Sequence, residues 1–344
     1  MKDISYLHVL LKMLYRYHLI GYSGFIRSVL SFFLLMSSLV TNTLAAPSGQ
    51  GFVVGLLRPD GLIIPFAYFN GADFTNPWQK PRNFGPNAPS TITDLDIPWF
   101  SGFTAPTDSW FAWYPEGGKR LITKQPIKIN SHCSEVWGLP TGEVKRKFPD
   151  HVYEPTKTGL VTNKKIDVSP FSNISKSGAD SQFILKVLRP FFDKGEEEAL
   201  RKTGIDAYYE NELRRSKGIV KSTGLQLMSS QKARLTAKES IFFVEVTKKY
   251  PKTSDSKDRE CKLISYQKSW VLHAQKPTLL SSEFEVTDCD MKNVSTGKAI
   301  GVVRIKDLVY IVHMNIGYEG ESYSIFRLES GKLKQVLETF GGGC

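Results

Sequence analysis

The stretch Ile300-Gly-Val-Val-Arg-Ile305, Lys306-Asp307, Leu308-Val-Tyr-Ile-Val-His-Met314 decides the fold. Two apolar runs of strand length, rich in β-branched residues, flank a two-residue polar turn. That is the pattern of an antiparallel hairpin. Downstream, Tyr323 to Leu328, the turn Ser330-Gly331 and Leu333 to Leu337 repeat it. Upstream, Ile241 to Thr247, Leu263 to His273 and Leu279 to Thr287 also have strand character. Phe284 and Val286 alternate with Glu283, Glu285 and Thr287, which turns one face of that strand to water. Together these runs predict an antiparallel meander.

The N-terminal half is built from hairpins too. Phe52 to Leu57 and Leu62 to Phe69 flank Arg58-Pro59-Asp60-Gly61, where Pro sets φ and Gly accepts positive φ. Trp110 to Tyr114 and Arg120 to Thr123 flank Pro115-Glu116-Gly117-Gly118 in the same way. Between the two hairpins, prolines 77, 81, 86, 89, 98 and 106 forbid long helices and central strands. Gly55-Leu-Leu-Arg58 with Leu62-Ile63 weakly echoes Gly301-Val-Val-Arg304 with Leu308-Val309, as first and last blades of a propeller would.

One segment is helical. Phe183, Ile184, Val187, Leu188, Phe191 and Phe192 recur at helical spacing between Asp180 and Gly204. Pro190 is expected to kink or split it, with Glu197/Arg201 and Glu198/Lys202 supporting the second part at i,i+4. The expected fold is therefore mainly β, with antiparallel hairpins and a meander. It is either propeller-like or two packed β-rich halves, with one kinked helical insert. The divisions are a leader over 1–45, an N-terminal half with Trp/Pro-rich loops over 46–178, a helical junction over 179–215 and the meander over 216–344.

The leader reads as an export signal. Lys2, Lys12, Arg16 and Arg27 precede the uncharged run Ser28 to Val40, and Thr43-Leu44-Ala45 supplies small residues for cleavage near Ala45. The mature chain is then secreted or periplasmic. The alternative is an uncleaved membrane anchor, since a spanning helix needs about 20 mostly apolar residues and Ser28 to Ala46 approaches that length. All four cysteines follow the leader. An even count in an exported chain points to two disulfides. Cys261 and Cys289 lie nearly symmetrically about a turn near Lys276-Pro277, so the expected bridges are Cys261–Cys289 and Cys133–Cys344.

The formal net charge of +11 is spread in short groups such as Lys145-Arg146-Lys147 and Lys248-Lys249. Scattered groups are solvated surface, or they attract an anionic partner such as an envelope polymer. With no reading motif, nucleic acid is not an expected partner. No cofactor fingerprint or metal-ligand spacing occurs. His132, His151, His273 and His313 are dispersed, and Asp94/Asp96, Asp288/Asp290 and Glu319/Glu321 sit in no distinctive motif. Asn173-Ile-Ser and Asn293-Val-Ser match a glycosylation sequon. Aromatic rings beside loops stack on sugars or peptides, which makes Trp78, Trp99, Trp110 and Trp113 the candidate ligand contacts. The expected function is a non-catalytic envelope or extracellular module that binds glycan or protein. The alternative is a secreted polysaccharide hydrolase, which needs two carboxylates across a cleft.

Overall fold

The computed structural model describes residues 51–77, 109–131, 134–142, 158–203, 207–219, 222–251, 261–318 and 320–343. The leader, Trp78, Trp99, Cys133, Cys344, His132, His151 and the Asp94/Asp96 pair lie outside them.

The described chain is mainly antiparallel β. A first sheet has the strand order β5(Gly117–Ile122), β4(Ser109–Tyr114), β8(Gly159–Thr162), β1(Phe52–Leu57), β2(Leu62–Phe69), β7(Ser134–Pro140), β6(Ile127–Ser131), with β3(Phe74–Thr75) pairing β2. The expected turn joins β1 to β2. Gly61 takes φ 84°, and the Asp60 carboxylate accepts the Leu62 N–H and pairs with Arg58 at 2.8 Å.

The C-terminal hairpins form a middle sheet, ordered β18(Lys332–Gly343), β17(Gly320–Glu329), β16(Leu308–Ile316), β15(Thr296–Ile305), β9(Asp167–Pro170). Ser330 and Gly331 both take positive φ, 51° and 72°. That backbone twist suits a two-residue hairpin turn. A third sheet runs β10(Ser172–Asn173), β11(Gln226–Arg234), β12(Ser240–Pro251), β13(Cys261–His273), β14(Pro277–Thr287). The chain passes from the middle sheet to the third within a few residues. β9 ends at Pro170, the Phe171 N–H donates to Ile300 O, and β10 begins at Ser172.

Strand alternation then stacks the sheets. Along β16, Tyr310, Val312 and Met314 join Phe52, Val54, Leu56, Phe66 and Phe74 in the core between the first and middle sheets. Ile311, on the opposite face, packs with Phe171, Ala233, Ile241, Phe243 and Trp270 between the middle and third sheets. The outer face of the third sheet, including Phe242, Val244, Val246 and Val271, packs on α1(Ala179–Ala199) through Ile184, Leu188 and Phe192. The middle sheet therefore has an apolar core on both sides. Burial of both faces explains why β15 and β16 read as near-continuous apolar runs. The two glycines of the sequence echo fall at bulges in neighbouring sheets, Val54/Gly55 in β1 and Ala299/Gly301 in β15. A Cβ on Gly301 would sit 2.8 Å from Leu160 of the first sheet.

β15 pairs with β9 only from Gly301 to Arg304, so its earlier backbone groups need other partners. Side chains of the third sheet supply them. Gln231 accepts from the Ala299 N–H at 2.9 Å and donates to the Ala299 carbonyl at 3.1 Å. Glu245 accepts from the Gly297 N–H at 2.8 Å. A buried backbone group left unpaired is costly, so these bonds join the sheets polar group to polar group.

The helical insert differs from expectation in its break point and its ion pairs. α1 runs unbroken through Pro190, so the proline does not split it. Pro190 is exposed, and a carbonyl one turn earlier that loses its donor on that side can turn to water. The break comes instead after Ala199, and a second helix, α2(Tyr208–Ile219), follows. Glu198 pairs with Lys194 and Lys202 with Glu210, in place of the expected i,i+4 partners. Among the described residues no helix is long and apolar enough to cross a membrane.

Glu196 ties both helices to the third sheet. Its buried carboxylate accepts from Tyr250 Oη at 2.5 Å, Lys248 Nζ at 3.0 Å and Lys217 Nζ at 2.8 Å. Burial alone would raise its pKa, but these three partners outweigh burial and hold it below its usual 4.5. Its stabilising contribution is thus present above the ordinary carboxylate pKa and lost as pH falls below it. Glu196→Ala strands Lys248 and should destabilise the fold by about 3 kcal/mol at neutral pH. Chemical denaturation should show that difference shrinking in acid. Gly297→Ala places a Cβ 2.4 Å from His313 Nε2 and 2.7 Å from Phe243 Cζ. Overpacking of that kind should cost about 1–3 kcal/mol in the same assay.

Candidate functional site

The tryptophans do not form a ligand face in the described residues. Trp110 is wholly buried in the core formed by Val53, Leu57, Ile63, Leu139 and Val161. It is therefore a packing residue, which corrects its assignment as a ligand contact. The reason is strand alternation: β4 turns Trp110 and Ala112 inward. Trp113, half-buried on the other face, donates its indole N–H to Thr162 Oγ1 at 3.1 Å.

Exposed rings occur instead at one end of the middle sheet. Tyr318 sits in the turn between β16 and β17 and is 64% exposed, and Phe340 near the end of β18 is 66% exposed. The turn is closed by the Gly317 N–H donating to Gly320 O at 2.8 Å. Register places Asn315 opposite Ser322 and Ser322 opposite Phe340. One step inward, His313 faces Ser324 and Ser324 faces Glu338. Directly opposed residues on antiparallel strands share a face, so these six form two parallel rows. That face is the one turned toward the third sheet.

The rows are cross-linked by side chains. Asn315 Nδ2 donates to Ser324 Oγ at 3.2 Å and Ser322 Oγ at 3.4 Å. Ser322 Oγ donates to Glu338 Oε1 at 3.3 Å, and Gln335 Nε2 donates to Glu338 Oε2 at 2.9 Å. At the rim the Lys292 ammonium lies 5.6 Å from the Tyr318 ring centroid. The arrangement offers two open rings beside a held amide, hydroxyl and carboxylate. Such groups can stack on and hydrogen-bond a polyhydroxylated ligand.

The third sheet presents charges to the same seam. Lys268 pairs with Glu283 at 2.8 Å and donates to Ser295 O at 3.4 Å. Partial burial, with Glu283 alongside, pushes the Glu285 carboxyl above its usual range, while Lys268 and Lys202 oppose the rise. Deeper in, Glu245 accepts from Tyr266 Oη at 2.6 Å, Ser229 Oγ at 2.5 Å and the Gly297 N–H. Of the expected acidic pairs, Asp288 caps a turn by accepting the Asp290 and Met291 N–H groups, and Glu321 accepts from Tyr323 Oη. These carboxylates shape the backbone and its packing. A separate shallow depression of about 990 Å³ lies between the hairpin tips 236–239 and 274–276, with Lys238, Glu239 and Lys276 on its rim.

Cys261 and Cys289 form the expected bridge, with Cα atoms 5.9 Å apart, joining the open ends of β13 and β14. Both pack against Ile264, Tyr266 and Val294. Tyr318, Phe340 and Asn315 escaped the sequence reading. The available signal was Gly317-Tyr318-Glu319-Gly320, a glycine-flanked turn with a ring at its tip. Cys261→Ser should lower stability by about 2–4 kcal/mol, and reductant should destabilise the parent protein by a similar amount in denaturant titrations. No protein-family model matches the chain, and a search of curated proteins returns no relative.

Proposed function

We propose that this chain is an exported, non-catalytic module that binds a glycan at the exposed end of its middle sheet. One observation carries this reading: Tyr318 and Phe340 stand open beside the bonded set Asn315, Ser322, Ser324 and Glu338. Flat apolar rings match the C–H faces of sugar rings, and planar polar side chains match their hydroxyls. The positive net charge favours a glycan with acidic groups, such as an anionic envelope polymer.

Export is part of the proposal. The leader over 1–45 supplies the route, and the Cys261–Cys289 bridge suits an oxidising compartment outside the cytoplasm. Cleavage near Ala45 makes the product secreted or periplasmic. N-terminal sequencing of protein recovered from cell fractions tests this. An intact leader in the membrane fraction would replace release with anchoring.

A hydrolytic reading draws on Glu285, whose raised carboxyl has the character a general acid needs. New reducing ends on incubation with polysaccharide would favour it over simple binding. Under the binding proposal, Tyr318→Ala and Phe340→Ala should each weaken affinity for polysaccharide fractions about tenfold, the loss of roughly one ring stack. Isothermal titration measures this directly. Unchanged affinity in both variants would remove the site.

A further inference from the structure

His313 is a basic side chain in a position that an apolar one would fill. It is 3% exposed, and neither ring nitrogen has a hydrogen-bond partner among the described residues. Its ring packs against Phe243, Trp270 and Phe326, with centroids 4.8, 5.4 and 6.2 Å away. Gly297 leaves the space that its Nε2 edge occupies. A buried polar group without partners calls for an explanation beyond packing.

Among the described residues, no carboxylate makes a hydrogen bond or ion pair with the ring that could balance a proton's charge. From β12, Glu245 is engaged by Tyr266, Ser229 and the Gly297 N–H. From β13, Lys268 is itself a cation and opposes a second one, and Tyr266 donates to Glu245. On β14, Glu283 is paired with Lys268, and Glu285 is half-buried beside it. β15 contributes only Gly297 and Ala299 here, β17 presents Ser324 and Phe326, and the Glu338 carboxylate of β18 is held by Ser322 and Gln335. An imidazolium at this point can be solvated only by parting the two sheets.

We propose that His313 is an acid-operated latch: proton uptake by its ring parts the middle and third sheets and leaves the first and middle sheets packed together. The selectivity follows from alternation. His313 points into the core shared with the third sheet, while Tyr310, Val312 and Met314 of the same strand hold the first sheet. The sign is set by linkage. In the closed form, burial first and Lys268 second hold the ring's pKa at about 3, against an ordinary 6.5. The opened form regains the ordinary value and binds the extra proton, so closure is strongest above 6.5 and weakens as pH falls toward 3. The latch stands whether or not a glycan is the ligand. If one is, the latch moves the wall that faces Asn315 and Ser322, and so links binding to acidity.

Amide hydrogen exchange on the full chain, corrected for the intrinsic pH dependence of exchange, tests the proposal. Exchange of the Gly297 and Ala299 amides, which are bonded across the seam to Glu245 and Gln231, should rise by up to about tenfold per pH unit below 6.5. Amides joining β1 and β2 should stay protected. His313→Phe should flatten the dependence. Equal dependence in both proteins, or simultaneous opening of β1 and β2, would overturn the latch. Should His313→Phe fail to fold, nitrogen chemical shifts of labelled histidine in the parent protein decide. His313 must remain neutral until the seam opens, and titration near 6.5 in the closed protein would falsify the proposal.

Discussion

A strand edge buried in a core must satisfy its backbone groups from within the protein, and the middle sheet has such an edge in β15. Its pairing with β9 covers only part of one edge, and the remainder would be an unpaired strand inside a core. Gln231 and Glu245 reach across from the third sheet and complete it. At the far end Arg304 of β15 links the layers in the opposite direction, donating to the Leu235 and Arg234 carbonyls. Apolar contact holds the layers together. These few polar links fix their register, because an amide or carboxylate accepts only one alignment where a methyl surface would accept several.

The polar links also divide the seam by chemistry. Toward Leu272, Leu328 and Leu333 it is apolar. Toward Asn315, Ser322 and Glu338 it is polar and hydrogen-bonded. His313 stands at the boundary, in a polar row by register and in an aromatic cluster by contact. The candidate binding face and the acid-sensitive position are thus two properties of one boundary.

The hairpins were legible because their signals are local. Alternation and turn residues lie within about ten positions of one another, and the Cys261–Cys289 pairing follows from symmetry about a single turn. β11 was not legible. Gln-Leu-Met-Ser-Ser-Gln-Lys-Ala-Arg has little strand character, and its place comes from β12 and from the β15 edge that Gln231 completes. Pro190 misled because its cost depends on which side of the helix faces water, a tertiary fact. The same holds for the aromatics. Residue type marks Trp110 as a large ring, but only the fold decides that it is core while Tyr318 and Phe340 are surface.

The passage of the chain through Phe171 has a consequence for folding. β9 finds its partner in β15, and the Arg304–Asp167 bond spans 137 residues. The first sheet likewise closes over long range, with Val53 bonded to Asn163 across 110 residues. Contacts this distant in sequence slow folding, because loop closure must precede the pairing that rewards it. During synthesis the apolar face of β1 and β2 has no cover until β15 to β17 have emerged. The core of the first sheet is therefore completed only once β15 to β17 are made, and until then its apolar face stays open to capture by another partner.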